Sequence, residues 1–437
     1  MASGPGLIPP ELARTSQWLR DNWMLVFAAH PLLRLALLAE PPGEMSVFQL
    51  AERFLWVSFW ILEVGTFLVA NRSGLDVPRF LREIAPGGKA LLLIWLAALA
   101  ISPIFAAYPS QAIRNSLEWC VHGLFVASAW HLFRRDKEKA RCAFGLFADY
   151  LPRFTALTGV LVLLSVYSIG LESDYIFGYE IYGFAHIRHT GYIFAPAMAL
   201  GLYRMAGRNR QTREAMLLFV LNAALCLWFG SRGPFLALIC AAIAGYILFP
   251  EFRSPAFALR FGLASAMAAA LSILVPSPQS GFFNAVLRFW HGSADPQEFS
   301  SGRTELWKDA MHFIWERPFF GHGGSQFQHV SPATNGMFRH PHDFPLQVLF
   351  DWGIVGGGAF LALVAALLWA CLKQRGTAPP QMRMSIIAAF CMLGFALIDG
   401  IMFYPYTVAL TLLFLVYPLA MRSGNAGKDT LQAHPGT

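Results

Sequence analysis

Residues 300–353 read SSGRTELWKDAMHFIWERPFFGHGGSQFQHVSPATNGMFRHPHDFPLQVLFDWG. They form a polar island in an otherwise apolar chain, and the remaining sequence reads as the frame that holds it. From Thr304 the residues Leu306, Ala310, Phe313 and Ile314 recur at helical spacing, which predicts an amphipathic helix that Pro318 stops. The glycine-rich stretch Gly321-His322-Gly323-Gly324 follows; it lacks the spacing of a phosphate-binding loop and reads as a tight turn. After a polar loop comes Arg339-His340-Pro341-His342-Asp343, and an apolar helical pattern resumes over 344–352. Pro345 falls in the first turn of that helix, where its missing N–H costs nothing. Asp343 is then the N-cap, with His342 just outside the helix.

The frame is a membrane one. Of 437 residues, 56% are hydrophobic and only 14% charged, and the mean hydropathy is +0.48, which excludes soluble-enzyme folds and marks a polytopic, all-α membrane protein. The formal charge of +7 sits mostly in short loops between apolar runs, so it reports topology rather than a nucleic-acid partner. The six cysteines, Cys120, Cys142, Cys226, Cys240, Cys371 and Cys391, lack the paired spacing of a zinc or disulfide framework and read as small apolar residues. The polar N-terminal stretch through Arg20 does not resemble a cleavable signal peptide.

Counting apolar runs of roughly 17 to 25 residues as spans gives about twelve. They lie near 23–39, 47–70, 90–107, 116–133, 143–169, 190–206, 215–230, 234–250, 257–275, 353–372, 384–401 and 406–421. The segments 71–89, 134–141, 204–213, 251–260 and 373–383 are basic and alternate with nearly uncharged ones, which makes them cytoplasmic together with both termini. The expected organisation is transmembrane helices over 1–275, a large periplasmic catalytic loop with short amphipathic helices over 276–352, transmembrane helices over 353–422, and a cytoplasmic tail over 423–437. Arg188, Arg232 and the whole 276–352 segment then share the extracytoplasmic side. That segment holds His291, His312, His322, His329, His340 and His342, half of the chain's 12 histidines.

His342 is the first catalytic candidate. A histidine just before a helix start feels the positive end of the helix dipole, which favours the neutral imidazole that a general base requires. A metal site built from His340, His342 and Asp343 is the weaker reading, because proline interrupts the pair and no Cys or Glu completes a ligand set. Pro341 is expected to turn His340 away from its neighbour. Arg188 and Arg232 each sit where a helix meets the membrane; together with Arg303, Arg288 and Arg339 they could form a receptor for a diphosphate. The 276–352 segment carries five Lys/Arg against seven Asp/Glu, so any anion site must come from local geometry. Trp307, Trp315 and Phe319 lie outside the spans and would press the amphipathic helix onto the bilayer surface. Asp399, Arg34 and Glu63 are ionisable residues in or beside spans and read as interhelical partners.

The motifs Ser301-Gly302-Arg303 with Trp307, Glu316-Arg317-Pro318-Phe319-Phe320-Gly321-His322-Gly323, and His342 with the run 346–353 resemble the shared domain of bacterial O-antigen ligases and O-antigen polymerases. Ser231-Arg232-Gly233 and Arg188-x-x-Gly191 are similar to two further signatures of that family. The resemblance covers roughly 185–360 and departs at Asp343, where the family usually has asparagine. It implies a metal-independent, inverting glycosyltransferase without cofactor in the bacterial inner membrane. Such an enzyme takes a glycan from undecaprenyl diphosphate at the periplasmic face and, if a ligase, joins it to the lipid A core to complete lipopolysaccharide. In that reading His342 and Arg188 are catalytic, and Arg303, Arg232, Arg288, Arg339, His340 and Asp343 bind diphosphate or acceptor. The alternatives are an O-antigen polymerase, a protein-glycosylating oligosaccharide ligase and, outside enzymes, a transporter of lipid-linked glycans. A transporter should place polar residues at mid-membrane on broken helices, whereas here they gather at one face.

Overall fold

The computed structural model describes residues 17–18, 21–37, 57–170, 184, 187–207, 211–278, 283–291, 302–334, 336 and 338–422. The tail 423–437 and the first part of the run near 47–70 lie outside them. The architecture is all-helical: α1 (Leu25–Leu37), α2 (Gly65–Arg72, preceded by the π-helical turn Phe59–Val64), α3 (Pro86–Ile101), α4 (Pro109–Arg135), α5 (Lys137–Ile169), α6 (Thr190–Ala206), α7 (Gln211–Trp228), α8 (Gly233–Leu248), α9 (Pro255–Leu274), α10 (Arg303–Glu316), α11 (Phe344–Leu372), α12 (Pro380–Ala396) and α13 (Pro405–Met421). Among the described residues a helix thus occupies each apolar run. Among the described residues, the stretches Pro86–Phe105, Lys137–Ile169, Pro255–Leu274 and Phe344–Leu372 are long and apolar enough to cross a membrane, and α1, α8, α12 and α13 are shorter apolar helices.

Side-chain size sorts the interior from the exterior. Leu93, Leu161, Leu236, Ile247, Leu263 and Leu274 are exposed, while small residues such as Ala195, Ala199, Ala223, Ala237, Ala388 and Ala409 are buried. That inversion suits helices surrounded by lipid, where close backbone approach rather than expulsion of leucine drives association. Several buried hydroxyls answer carbonyls: Thr158 donates to Phe154 at 2.7 Å, Thr411 to Thr407 at 2.7 Å, and Ser385 crosses from α12 to Phe414 of α13 at 2.8 Å. The core centres on α6, α12 and α13, whose residues are buried along nearly their whole length.

The two ends of the bundle differ. At one, basic loop residues are knitted together: Arg134 binds Glu83 at 2.9 Å, Lys139 binds Asp21 at 3.1 Å, Arg383 binds Glu251 at 3.1 Å, and Lys137 reaches the Arg422 carbonyl at 2.6 Å. The other end carries the polar island, which folds as its spacing predicts. α10 buries Leu306, Ala310 and Ile314 against Phe327 and Phe350, and each of the leucine, isoleucine and phenylalanine side chains contributes about 1.5–3 kcal/mol when removed from water. Trp315 and Phe319 point outward, as an interfacial helix requires, whereas Trp307 is half-buried.

The glycine turn is a fastener. His322 N–H donates to the Phe350 carbonyl and Gly323 N–H to that of Asp351, both at 2.9 Å, so these groups are spent on backbone rather than offered to a phosphate. α11 is two helical segments that meet at the expected loop–span boundary across a kink at Gly353, whose φ of 65° a side chain would resist.

Candidate active site

Five helix starts meet at this end of the bundle: Tyr192 in the first turn of α6, Arg232 before α8, Arg303 opening α10, Asp343 before α11 and Tyr404 before α13. Their positive dipole ends favour negative charge. Close approach at glycine makes the gathering possible. A Cβ on Gly191 would press on Pro234 and Ser231, which places the Arg188-x-x-Gly191 segment against the Ser231-Arg232-Gly233 turn. A Cβ on Gly400 would fall inside the His340 ring.

Asp399 is the hub. It lies in the turn after α12. Its Oδ1 accepts from Gly400 N–H at 2.7 Å and the Tyr192 hydroxyl at 3.0 Å, and stands 3.1 Å from His342 Nδ1, while its Oδ2 accepts from Arg303 Nη2 at 2.9 Å. Burial alone would raise this carboxyl; the Arg303 guanidinium and then the His342 contact outweigh it and hold Asp399 well below the usual carboxylate range. A carboxylate on Nδ1 fixes the imidazole tautomer and leaves Nε2 as the proton-accepting atom.

The local chain explains how His342 gets there. Its backbone has φ of 56°, the left-handed region that a non-glycine residue enters at a cost of about 1 kcal/mol or more. This folds the ring back, so Pro341 does not separate the two histidines. The His340 and His342 ring centroids are 4.4 Å apart, and His342 N–H donates to His340 Nδ1 at 3.3 Å. Burial, followed by the charges of His342, Arg303 and Arg339, holds His340 well below the ordinary histidine range despite Asp399. Asp343 caps α11 as its position predicts, accepting from Leu346 N–H at 2.8 Å, and burial raises its carboxyl above the usual range against that hydrogen bond.

Beside the hub opens an apolar groove of about 400 Å³ whose wall includes Pro234, Val286 and Phe395 and whose charged residues are Arg232, Arg288, Arg303 and Asp399. Burial and the like charge of Arg303 lower Arg232 from its ordinary value. Arg188 belongs to the single turn Ile187–His189 leading into α6; its side chain lies outside the described part, as do Ser301 and the His291 side chain. Its neighbour His189 is within 3.0 Å of the Tyr404 hydroxyl. Arg339 is half-buried next to His340.

Thus the structure brings His342, His340, Arg303, Arg232 and Arg288 together, puts Asp343 to structural use, and adds Asp399, Tyr192 and Tyr404. Only Asp399 carried a signal in the sequence, as an ionisable residue at the end of an apolar run. Among the described residues no three His, Cys, Asp or Glu side chains are grouped to hold a metal ion.

Residues 217–361 match the family model described as O-antigen ligase. The chain is also similar to the O-antigen ligase of Pseudomonas aeruginosa, 27% identical over 187 residues, an alignment covering 43% of this chain and 42% of that relative's length.

Proposed function

We propose, from the match of residues 217–361 to the O-antigen ligase family model, that this membrane protein transfers a glycan from undecaprenyl diphosphate to the lipid A core at the periplasmic face of the bacterial inner membrane. The observation that carries the reading is the 3.1 Å contact of His342 Nδ1 with Asp399 beside a groove holding Arg232, Arg288 and Arg303. His342 Nε2 takes the proton of the acceptor hydroxyl as its oxygen attacks the anomeric carbon. The bond from that carbon to the diphosphate oxygen breaks on the opposite side, inverting the centre. The diphosphate leaves with the bonding electrons, its charge met by the arginines, with Arg188 a further contributor from the α6 side. Asp399 is a positioning residue, holding the tautomer and the developing imidazolium. The same reading sets the helices as twelve spans, residues 276–352 in the periplasm and both termini in the cytoplasm.

The test is transfer by purified protein in vesicles containing the diphosphate-linked glycan and lipid A core. The expected product is glycan joined to the core. Lengthening of the donor-linked glycan with no product on the core would overturn ligation in favour of polymerisation.

A further inference from the structure

Two membrane-anchored molecules must meet at His342 in the proposed reaction, and the arginine groove accounts for one. A second groove, of about 480 Å³, lies between α3 and α4 and shares no lining residue with the first. It arises because α3 stops at Ile101, a 3₁₀ turn Ser102–Phe105 follows, and α4 starts only at Pro109. Leu96, Pro103, Ile104, Ile113, Leu117 and Cys120 line it, and no charged residue does. α3 in turn packs along α11, the helix that begins just after His342.

The mouth of this groove is laced to the polar segment. The Arg317 guanidinium donates to the Phe105 carbonyl. Tyr108 N–H donates to Gln326 Oε1 at 2.8 Å, Gln326 Nε2 returns a hydrogen bond to the Tyr108 carbonyl at 3.2 Å, and the Tyr108 ring lies 4.2 Å from that of His329. Ile104 in the groove wall is 74% exposed, and Trp315 and Phe319, two residues either side of Arg317 in the chain, are 75% and 67% exposed, apolar surface of the kind that settles at a bilayer–water boundary. Arg317 is exposed there, while Arg114 on α4 is paired with Glu118 at 3.2 Å. A charge-free crevice beneath an exposed guanidinium suits a molecule with hydrocarbon chains below and an anionic group at headgroup height.

We propose that the α3–α4 groove seats the acyl chains of an anionic acceptor glycolipid, with Arg317 meeting its phosphate and the glycan lying along the polar segment toward His342. This rests on the transfer reading above.

A photo-crosslinking amino acid at Leu117 in the full-length protein should capture labelled lipid A core from mixed vesicles about tenfold more efficiently, relative to bulk phospholipid, than the same probe at Leu263 on α9, the ratio that a 1.4 kcal/mol preference gives. Equal ratios at the two positions would overturn the proposal. Filling the groove with Ile113→Trp should raise the acceptor KM about tenfold while leaving kcat and the donor KM unchanged. An unchanged acceptor KM would also overturn it. If the wild-type chain transfers nothing in these vesicles, the reaction assigned to the site falls, and the capture ratio still decides the groove.

Discussion

Among the described residues two of the three histidine–carboxylate pairs are withdrawn from the surface, His122–Glu63 and His342–Asp399, and their surroundings differ more than their geometry. His122 Nδ1 on α4 lies 2.6 Å from Glu63 Oε2 on the π-helical turn, with side chains 8% and 0% exposed, Phe59 and Trp119 beside the imidazole, and no partner for Glu63 Oε1. His342 and Asp399 are 3.1 Å apart and 19% and 8% exposed; their carboxylate also holds Arg303, Tyr192 and a backbone N–H, and a groove with arginines opens beside it. A sealed pair can fasten two helices. A pair with an oriented carboxylate, cations and an opening has what deprotonation of an acceptor hydroxyl and departure of an anion need.

The sharpest way to break this comparison is to remove each carboxylate. Asp399→Asn should lower glycan transfer about 10²- to 10⁴-fold, because the imidazole loses its orienting partner. Asp399→Glu should recover part of the rate, which a lesion confined to folding would not explain.

Glu63→Ala should act on stability instead, costing about 3–5 kcal/mol by leaving His122 without its buried partner. Thermal unfolding in detergent reads this, with transfer per folded molecule unchanged. A Glu63→Ala protein of normal stability but lost activity would erase the distinction between the pairs.

Gly400→Ala should cost about 1–3 kcal/mol as the new methyl displaces the His340 ring, and transfer should fall with it. The smallest effect belongs to Asp343. Asparagine caps as well as aspartate, so Asp343→Asn should leave melting and transfer near wild type, whereas Asp343→Ala should cost about 1 kcal/mol. Loss of transfer in Asp343→Asn at full stability would move the imidazole's partner from Asp399 to Asp343.

What the sequence disclosed was local. The amphipathic face of α10, the Asp343 cap, the tight glycine turn and the helical apolar runs all follow from spacing within a few residues, where 3.6-residue periodicity and capping chemistry act. Asp399 escaped because its partners Tyr192, Arg303 and His342 are distant in sequence and meet only when helix starts converge; alone it is one acid at the end of an apolar run. His340 was misjudged for a different reason. Proline restricts the residue before it, but the left-handed turn at His342 brings the two rings back together, and nothing in the residue types announces that φ.

The central claim is that His342 is the base. It is tested most directly by the transfer rate of purified His342→Ala in vesicles with donor and acceptor, at amounts of folded protein matched by thermal unfolding. A fall of about 10²- to 10⁴-fold with an unchanged melting transition is the predicted result. Transfer at the wild-type rate would contradict it and place the base elsewhere.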